Sequence, residues 1–152
     1  MSITAHLVAP DADAAAAWYA RAFGAVERSR IPLPGSKPLA VELEVSGTPF
    51  HVASEFADMG VMAPATVGGN PTVLQIEAAD ARRLWDRAIA AGATSLHPLA
   101  DTFWGELHGQ LADPFGNRWN IAQKLRDVAP TEVAAAAARI FGNQNGSNPD
   151  AG

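Results

Sequence analysis

An internal repeat constrains this chain more than any other feature of its sequence. Twice, a short apolar segment runs through an aspartate into an amphipathic stretch that ends on glycine: Ala5-His6-Leu7-Val8-Ala9-Pro10-Asp11 leads into residues 14–23 and Gly24, and Leu74-Gln75-Ile76-Glu77-Ala78-Ala79-Asp80 leads into residues 81–91 and Gly92. Each copy reads as a strand feeding a helix. Asp11 and Asp80 can cap the helix N-termini, and Trp18, Tyr19, Ala22, Phe23 and Leu84, Trp85, Ala88, Ile89 fall at helical spacing. Gly24 and Gly92 can take the left-handed stop. Shorter alternating runs follow, at 39–45 and 49–54 in the first copy and at 106–111 and 117–122 in the second, with Gly47 and Gly116 supplying turn chemistry. The unit is therefore strand, helix and further strands, used twice. Two such units can bury the helix-facing side of each sheet and curve the opposite sides round a pocket.

Composition removes several functions. With no cysteine there is no disulfide, thiolate metal site or Cys nucleophile, so any metal would be held by carboxylates and by the four histidines. A net charge of −5 and scattered basic residues, apart from Arg82-Arg83, speak against nucleic-acid binding. No apolar run approaches the ~18 residues of a membrane helix, and the first residues, Met1-Ser2-Ile3-Thr4-Ala5-His6, do not read as a leader; the expectation is a soluble, cytoplasmic protein without membrane or nucleic-acid partners.

Strand alternation sorts the polar residues. If Ala5 and Leu7 face the helices, His6 and Val8 face the cleft; in the second repeat Leu74 and Ile76 face the helices while Val73, Gln75 and Glu77 do not. Trp119 and Ile121 pack inward, leaving Arg118 and Asn120 outward, and Leu107 and Leu111 inward, leaving Glu106, His108 and Gln110. The expected ligand-binding set is His6, His51, Gln75, Glu77, Glu106, His108, Arg118 and Asn120, joined by Phe103 and Trp104 as an aromatic wall; Trp104 and Phe103 can equally be core. His97, beside Pro98, reads as an incidental loop residue. Trp18, Trp85 and Trp119 read as core. Residues 56–70, rich in Gly, Pro and Met, read as a linker between the repeats or a lid over the pocket.

Several pieces occur in order across the two repeats: Ala22-Phe23-Gly24-Ala25, Ala90-Ala91-Gly92-Ala93, Phe103-Trp104-Gly105 and Asp113-Pro114-Phe115-Gly116-Asn117-Arg118-Trp119. Together they resemble the vicinal oxygen chelate superfamily, which contains glyoxalase I, the fosfomycin and bleomycin resistance proteins and the extradiol dioxygenases, and within it most closely the PhnB-like branch. The resemblance spans about residues 3–142, including Asp127-Val128-Ala129-Pro130-Thr131-Glu132 and the alanine-rich segment after it. It implies an α+β fold of tandem βαβββ repeats (about 1–56 and 70–125 of a domain at 1–125) forming a curved mixed sheet around a cleft, with an extra C-terminal helix at 126–142. The polar residues 143–152 are expected to form a disordered tail.

Members of that superfamily usually hold a divalent metal with four positions, which by resemblance correspond to Thr4, His51, Val73 and Asn120. Only His51 is a good ligand, so no metal or other cofactor is expected. The leading reading is a glyoxalase- or bleomycin-resistance-like protein that binds or sequesters a small, partly aromatic metabolite or antibiotic. The alternative is an enzyme of lyase, isomerase or dioxygenase type, with His51 as catalytic residue, working by metal-free acid–base chemistry or by a non-standard metal site drawn from His6, His51, Glu106 and His108. A third reading is an empty cleft on an assembly module. Resemblance also implies a homodimer, with Val133, Ile140 and Phe141 offering an apolar helix face.

Overall fold

The two copies of the repeat fold into the same succession of elements. A computed structural model describes residues 1–142. The first copy comprises β1 (Ala5–Ala9), α1 (Ala12–Phe23), β2 (Val26–Ile31), β3 (Ala40–Val45) and β4 (Thr48–Ser54). A 3-10 turn (Ala57–Met59) and the short helix α2 (Pro64–Val67) lead to the second copy: β5 (Val73–Glu77), α3 (Ala81–Ala90), β6 (Thr94–Asp101), β7 (Glu106–Ala112) and β8 (Arg118–Lys124). Helix α4 (Pro130–Phe141) follows. None of the described helices is long and apolar enough to cross a membrane. The tail expected to be disordered, 143–152, lies outside the described residues.

Local chemistry sets the helix boundaries. Asp11 accepts the Asp13 amide at 2.8 Å and Asp80 the Arg83 amide at 3.0 Å, each satisfying an otherwise orphaned donor of a first turn. Gly24 ends α1 in the left-handed conformation at φ +69°. In the second copy the cap is Ala91, and Gly92 takes φ +110° one residue later.

The strand orders are β1-β4-β3-β2 and β5-β8-β7-β6, with the first strand of each copy parallel to the last and the other pairs antiparallel. The mixed sheet is thus divided into two four-stranded halves that do not close. β1 and β5 each keep a free edge, and only a side chain crosses between the copies there: Asn117, just before β8, donates to the Val8 carbonyl at 3.2 Å. The strands β2 and β6 had no clear sequence signature for a physical reason. All six residues of β2 are exposed, and β6 contains Pro98 and two register shifts. His97, expected in a loop, is in β6.

Both sheets bury one face on the helices, and the two buried faces share one core. Trp18, Trp85 and Trp119 are all in it, as expected. The rings of Phe50 from β4 and Trp119 from β8 lie 5.8 Å apart, with Tyr19 and Phe23 of α1 edge-on to Trp119 at 5.6 and 4.9 Å. Trp18 donates its indole N–H to the Ala91 carbonyl, and Arg87 of α3 donates to the carbonyls of Ala20 and Arg21 at the end of α1. Gly109 belongs to the same packing: a Cβ there would come within 2.8 Å of the Trp85 ring and 2.9 Å of the Leu99 amide.

Asp113 fastens the copies together. Its carboxylate is 5% exposed and takes four donors: the Tyr19 hydroxyl at 2.5 Å and the Trp119 indole at 3.0 Å on Oδ2, the amides of Phe115 and Asn117 at 2.9 and 3.0 Å on Oδ1. Burial pushes this carboxyl above its ordinary value while the donors pull it down. Burial and the neighbouring carboxylate raise the Tyr19 hydroxyl well above its usual range, so it stays a donor. At the matching place before Gly47, Glu44 is only half-buried and pairs with Arg28 at 2.8 Å, which holds the Glu44 carboxyl below its ordinary value. Tyr19→Phe removes the one donor that comes from the other copy and is expected to cost about 1.5–3 kcal/mol in urea unfolding, whereas Arg28→Ala, at a solvent-screened pair, is expected to leave the unfolding midpoint nearly unchanged.

Candidate functional site

The alternation read from the sequence holds on both sheets. Leu7, Phe50, Val52, Leu111, Trp119 and Ile121 are buried against the helices, while His6 is exposed and His51, His108, Gln110, Arg118 and Asn120 are half-buried on the opposite faces. These polar faces point away from the shared core. They do not come together as one cup; they form two groups, and no hydrogen bond or ring contact joins the groups among the described residues.

The first group is a row across all four strands of the first sheet. His6, His51, Glu42 and Ser29 are register neighbours; the two imidazoles stack with centroids 4.5 Å apart and planes at 4°, and Ser29 donates to Glu42 at 2.8 Å. On the second sheet Gln75, Asn120 and Gln110 share a row. Gln110 donates to the Asn120 Oδ1 at 2.9 Å and accepts from the Arg118 guanidinium, so Arg118, Gln110 and Asn120 form one chain of donors. Further along β7, Trp104 donates to Glu106 at 2.8 Å and lies edge-on to His108 at 5.4 Å, while Phe103 is edge-on to Trp104 and reaches Phe141 of α4.

The space between the copies is a pair of cavities along the free edges of β1 and β5. The larger, about 780 Å³, takes in His6, Gln75 and Glu77 over an apolar wall that includes Leu7, Leu74, Phe50 and Trp119. The smaller, about 330 Å³, takes in His6 and Arg118, with Asn70, Thr72 and Asn117 as its other polar side chains. His6 borders both. His51, Phe103, Trp104, Glu106, His108 and Asn120 line neither cavity, so the aromatic wall expected from Phe103 and Trp104 lies elsewhere on the second sheet. The segment 56–70 is more than a spacer, because Met62, Pro64, Val67, Gly69 and Asn70 wall the smaller cavity. It is held there by Glu55, which accepts the Ala63 amide, and by Asn70, which donates to Asn117 at 3.1 Å.

A divalent cation finds a poor donor set. Thr4 and Val73 offer a hydroxyl and a hydrocarbon, Asn120 has its amide oxygen engaged by Gln110, and the His51 ring is stacked on His6. Among the described residues no three His, Asp or Glu side chains are grouped to hold a metal, so His6 and His51 do not join Glu106 and His108 in a common site.

A family model described as the Glyoxalase/Bleomycin resistance protein/Dioxygenase superfamily matches residues 3–121. The chain belongs to this superfamily. An uncharacterized protein of Mycobacterium bovis is 35% identical to it over 138 residues, covering 89% of this chain and 91% of that one. Among solved structures, TioX from Micromonospora sp. ML1 is similar with a TM-score of 0.65 at 24% identity, covering 82% of this chain and 99% of that one. A bleomycin-binding protein complexed with bleomycin is similar with a TM-score of 0.58 at 17% identity, covering 82% and 98%. At these identities the two structures speak to the fold of this superfamily member.

Three polar residues of these rows and cavities were not singled out from sequence. Glu42 and Ser29 extend the histidine row from strands whose polar residues look like ordinary surface, and Asn117 looks like a turn residue. Asn117 is 2% exposed and joins Val8, Asn70 and Asp113 at the neck of the smaller cavity. Asn117→Ala leaves the Val8 carbonyl and the Asn70 amide without this partner; the expected loss is about 1–3 kcal/mol in thermal or urea unfolding, with faster proteolysis at 62–72.

Proposed function

We propose that this superfamily member is a small-molecule-binding protein that takes its ligand at the seam between β1 and β5 without a protein-held metal. The observation that carries the reading is the state of Asn120. Where the superfamily resemblance implies a metal-binding carboxylate, this chain has a neutral amide whose oxygen already serves Gln110. Imidazole alone, from His51, leaves a divalent ion short of the three protein ligands that catalytic sites commonly provide. The cavities nonetheless combine apolar walls with a few convergent polar groups, the usual composition of a ligand site. The bleomycin complex of a fold relative supports small-molecule binding as a use of this architecture.

A ligand at the seam touches His6 and, according to which cavity it fills, Gln75 and Glu77 or Arg118. The outward polar faces, with Trp104 on one of them, and the exposed Ile140 and Phe141 of α4 favour a homodimer in which a second copy covers what one chain leaves open. Sedimentation velocity is expected to give twice the chain mass, and a concentration-independent monomer would remove the dimer from the proposal.

Metal analysis of the purified protein checks the central point. Below about 0.1 equivalent of Ni, Zn, Mn or Fe is expected, with a melting temperature unmoved by chelator. Stoichiometric metal that disappears together with ligand binding in His51→Ala would overturn the reading in favour of a metalloenzyme.

A further inference from the structure

The smaller cavity of this acidic chain is lined by one cationic side chain and by no carboxylate. Arg118 is the sole formally charged side chain lining it; Asp and Glu are absent from its lining. Among the described residues Arg118 is in no salt bridge, and unlike the exposed basic residues that share this state it lines a cavity. Of the five N–H donors of its guanidinium, Gln110 takes one, and the Nε–H is buried with no acceptor at all. The Nε–H is closed off from solvent-sized atoms, so the terminal N–H groups, of which one is engaged, are the ones that can take a bound acceptor.

Nearby groups do not cancel this charge. Arg118 is in register with Val73 on β5 and Ala112 on β7, both uncharged. Glu77 is four residues from Val73 along β5, about 13 Å away at the usual rise, and Glu106, at the other end of β7, already accepts from Trp104. Because Gln110 receives from Arg118 and gives to the oxygen of Asn120, the Asn120 amide is oriented with its N–H₂ as the free end. Around the guanidinium the wall is apolar, formed by Val8, Met62, Pro64, Val67 and Leu74.

We infer that the smaller cavity binds an organic oxyanion, a carboxylate or phosphonate on a compact apolar or aromatic body, with Arg118 as the residue that recognises the anionic head. The inference rests on the small-molecule reading of the seam and adds the charge of the ligand to it. The planar fork of the guanidinium matches two oxygens on one centre, and Gln110 holds it in place. The 330 Å³ of space is at the small end of ligand pockets, which suits a single-ring body.

Four probes of matched size separate the possibilities when titrated into the full chain: benzoate and phenylphosphonate as anions, benzamide as the neutral form, benzylamine as the cation. Arginine Nε–Hε resonances in NMR and the melting temperature are the readouts. Benzoate or phenylphosphonate is expected to shift the Arg118 Nε–Hε signal and raise the melting temperature, and Arg118→Gln to weaken that binding by about tenfold or more. Comparing the two anions tells carboxylate from phosphonate. Binding of benzamide or benzylamine as tight as that of the anions, or anion binding unchanged in Arg118→Gln, overturns the anion inference and leaves the small-molecule reading standing. No response to any of the four overturns both. The wild-type NMR shift decides the matter even if Arg118→Gln does not fold.

Discussion

One buried carboxylate holds the two halves of this protein in a fixed relation. Asp113 receives the Tyr19 hydroxyl from α1, the Trp119 indole from β8 and two amides of its own turn. A charge this far from water is tolerable only when its lone pairs are filled, and here all four donors are protein groups. Because one donor comes from the first copy and three from the second, the interaction sets how the helix-bearing faces meet. The aromatic cluster of Tyr19, Phe23, Phe50 and Trp119 forms around it. The same turn carries Asn117 to the β1 edge, so the position of the seam, and of both cavities, follows from this contact.

Once the seam is placed, its chemistry is decided by which polar residues reach it. His6, Gln75, Glu77 and Arg118 do; His51, Glu106, His108 and Asn120 lie on outward faces away from it. The chain belongs to the superfamily, and at position 120 it carries a neutral amide. With an amide there, the guanidinium is joined to a neutral chain through Gln110 and keeps its charge available.

Much of the fold was legible because its signals are local. Capping aspartates, positive-φ glycines and the apolar spacing of Trp18, Tyr19 and Phe23 each follow from a few neighbouring residues, and alternation sorted Leu7 from His6 and Trp119 from Arg118. The strands β2 and β6 were not, since an exposed edge strand such as Val26–Ile31 has no buried face to impose a period of two. The site was legible only as a list of outward residues. Which of them share a cavity depends on how two sheets dock, and that is a property of long-range contacts such as Tyr19 with Asp113. The segment 56–70 shows the same limit: Gly, Pro and Met announce a break in regular structure, but whether the break covers a cavity depends on Glu55 and Asn117 holding it down.

The repeat also shows how far the copies have become unequal. The place in the second copy that matches Tyr19, counted from the capping aspartates Asp11 and Asp80, is Ala88; the place in the first copy that matches Asp113, counted from Gly47 and Gly116, is the half-buried Glu44, paired with Arg28. The phenol and the buried carboxylate thus occur once each, on opposite halves, like a plug and its socket. A chain built from two first halves would have two plugs, and one built from two second halves would have two sockets. The present protein keeps the outline of a duplication, but at this contact its halves are complementary and do not match one another residue for residue.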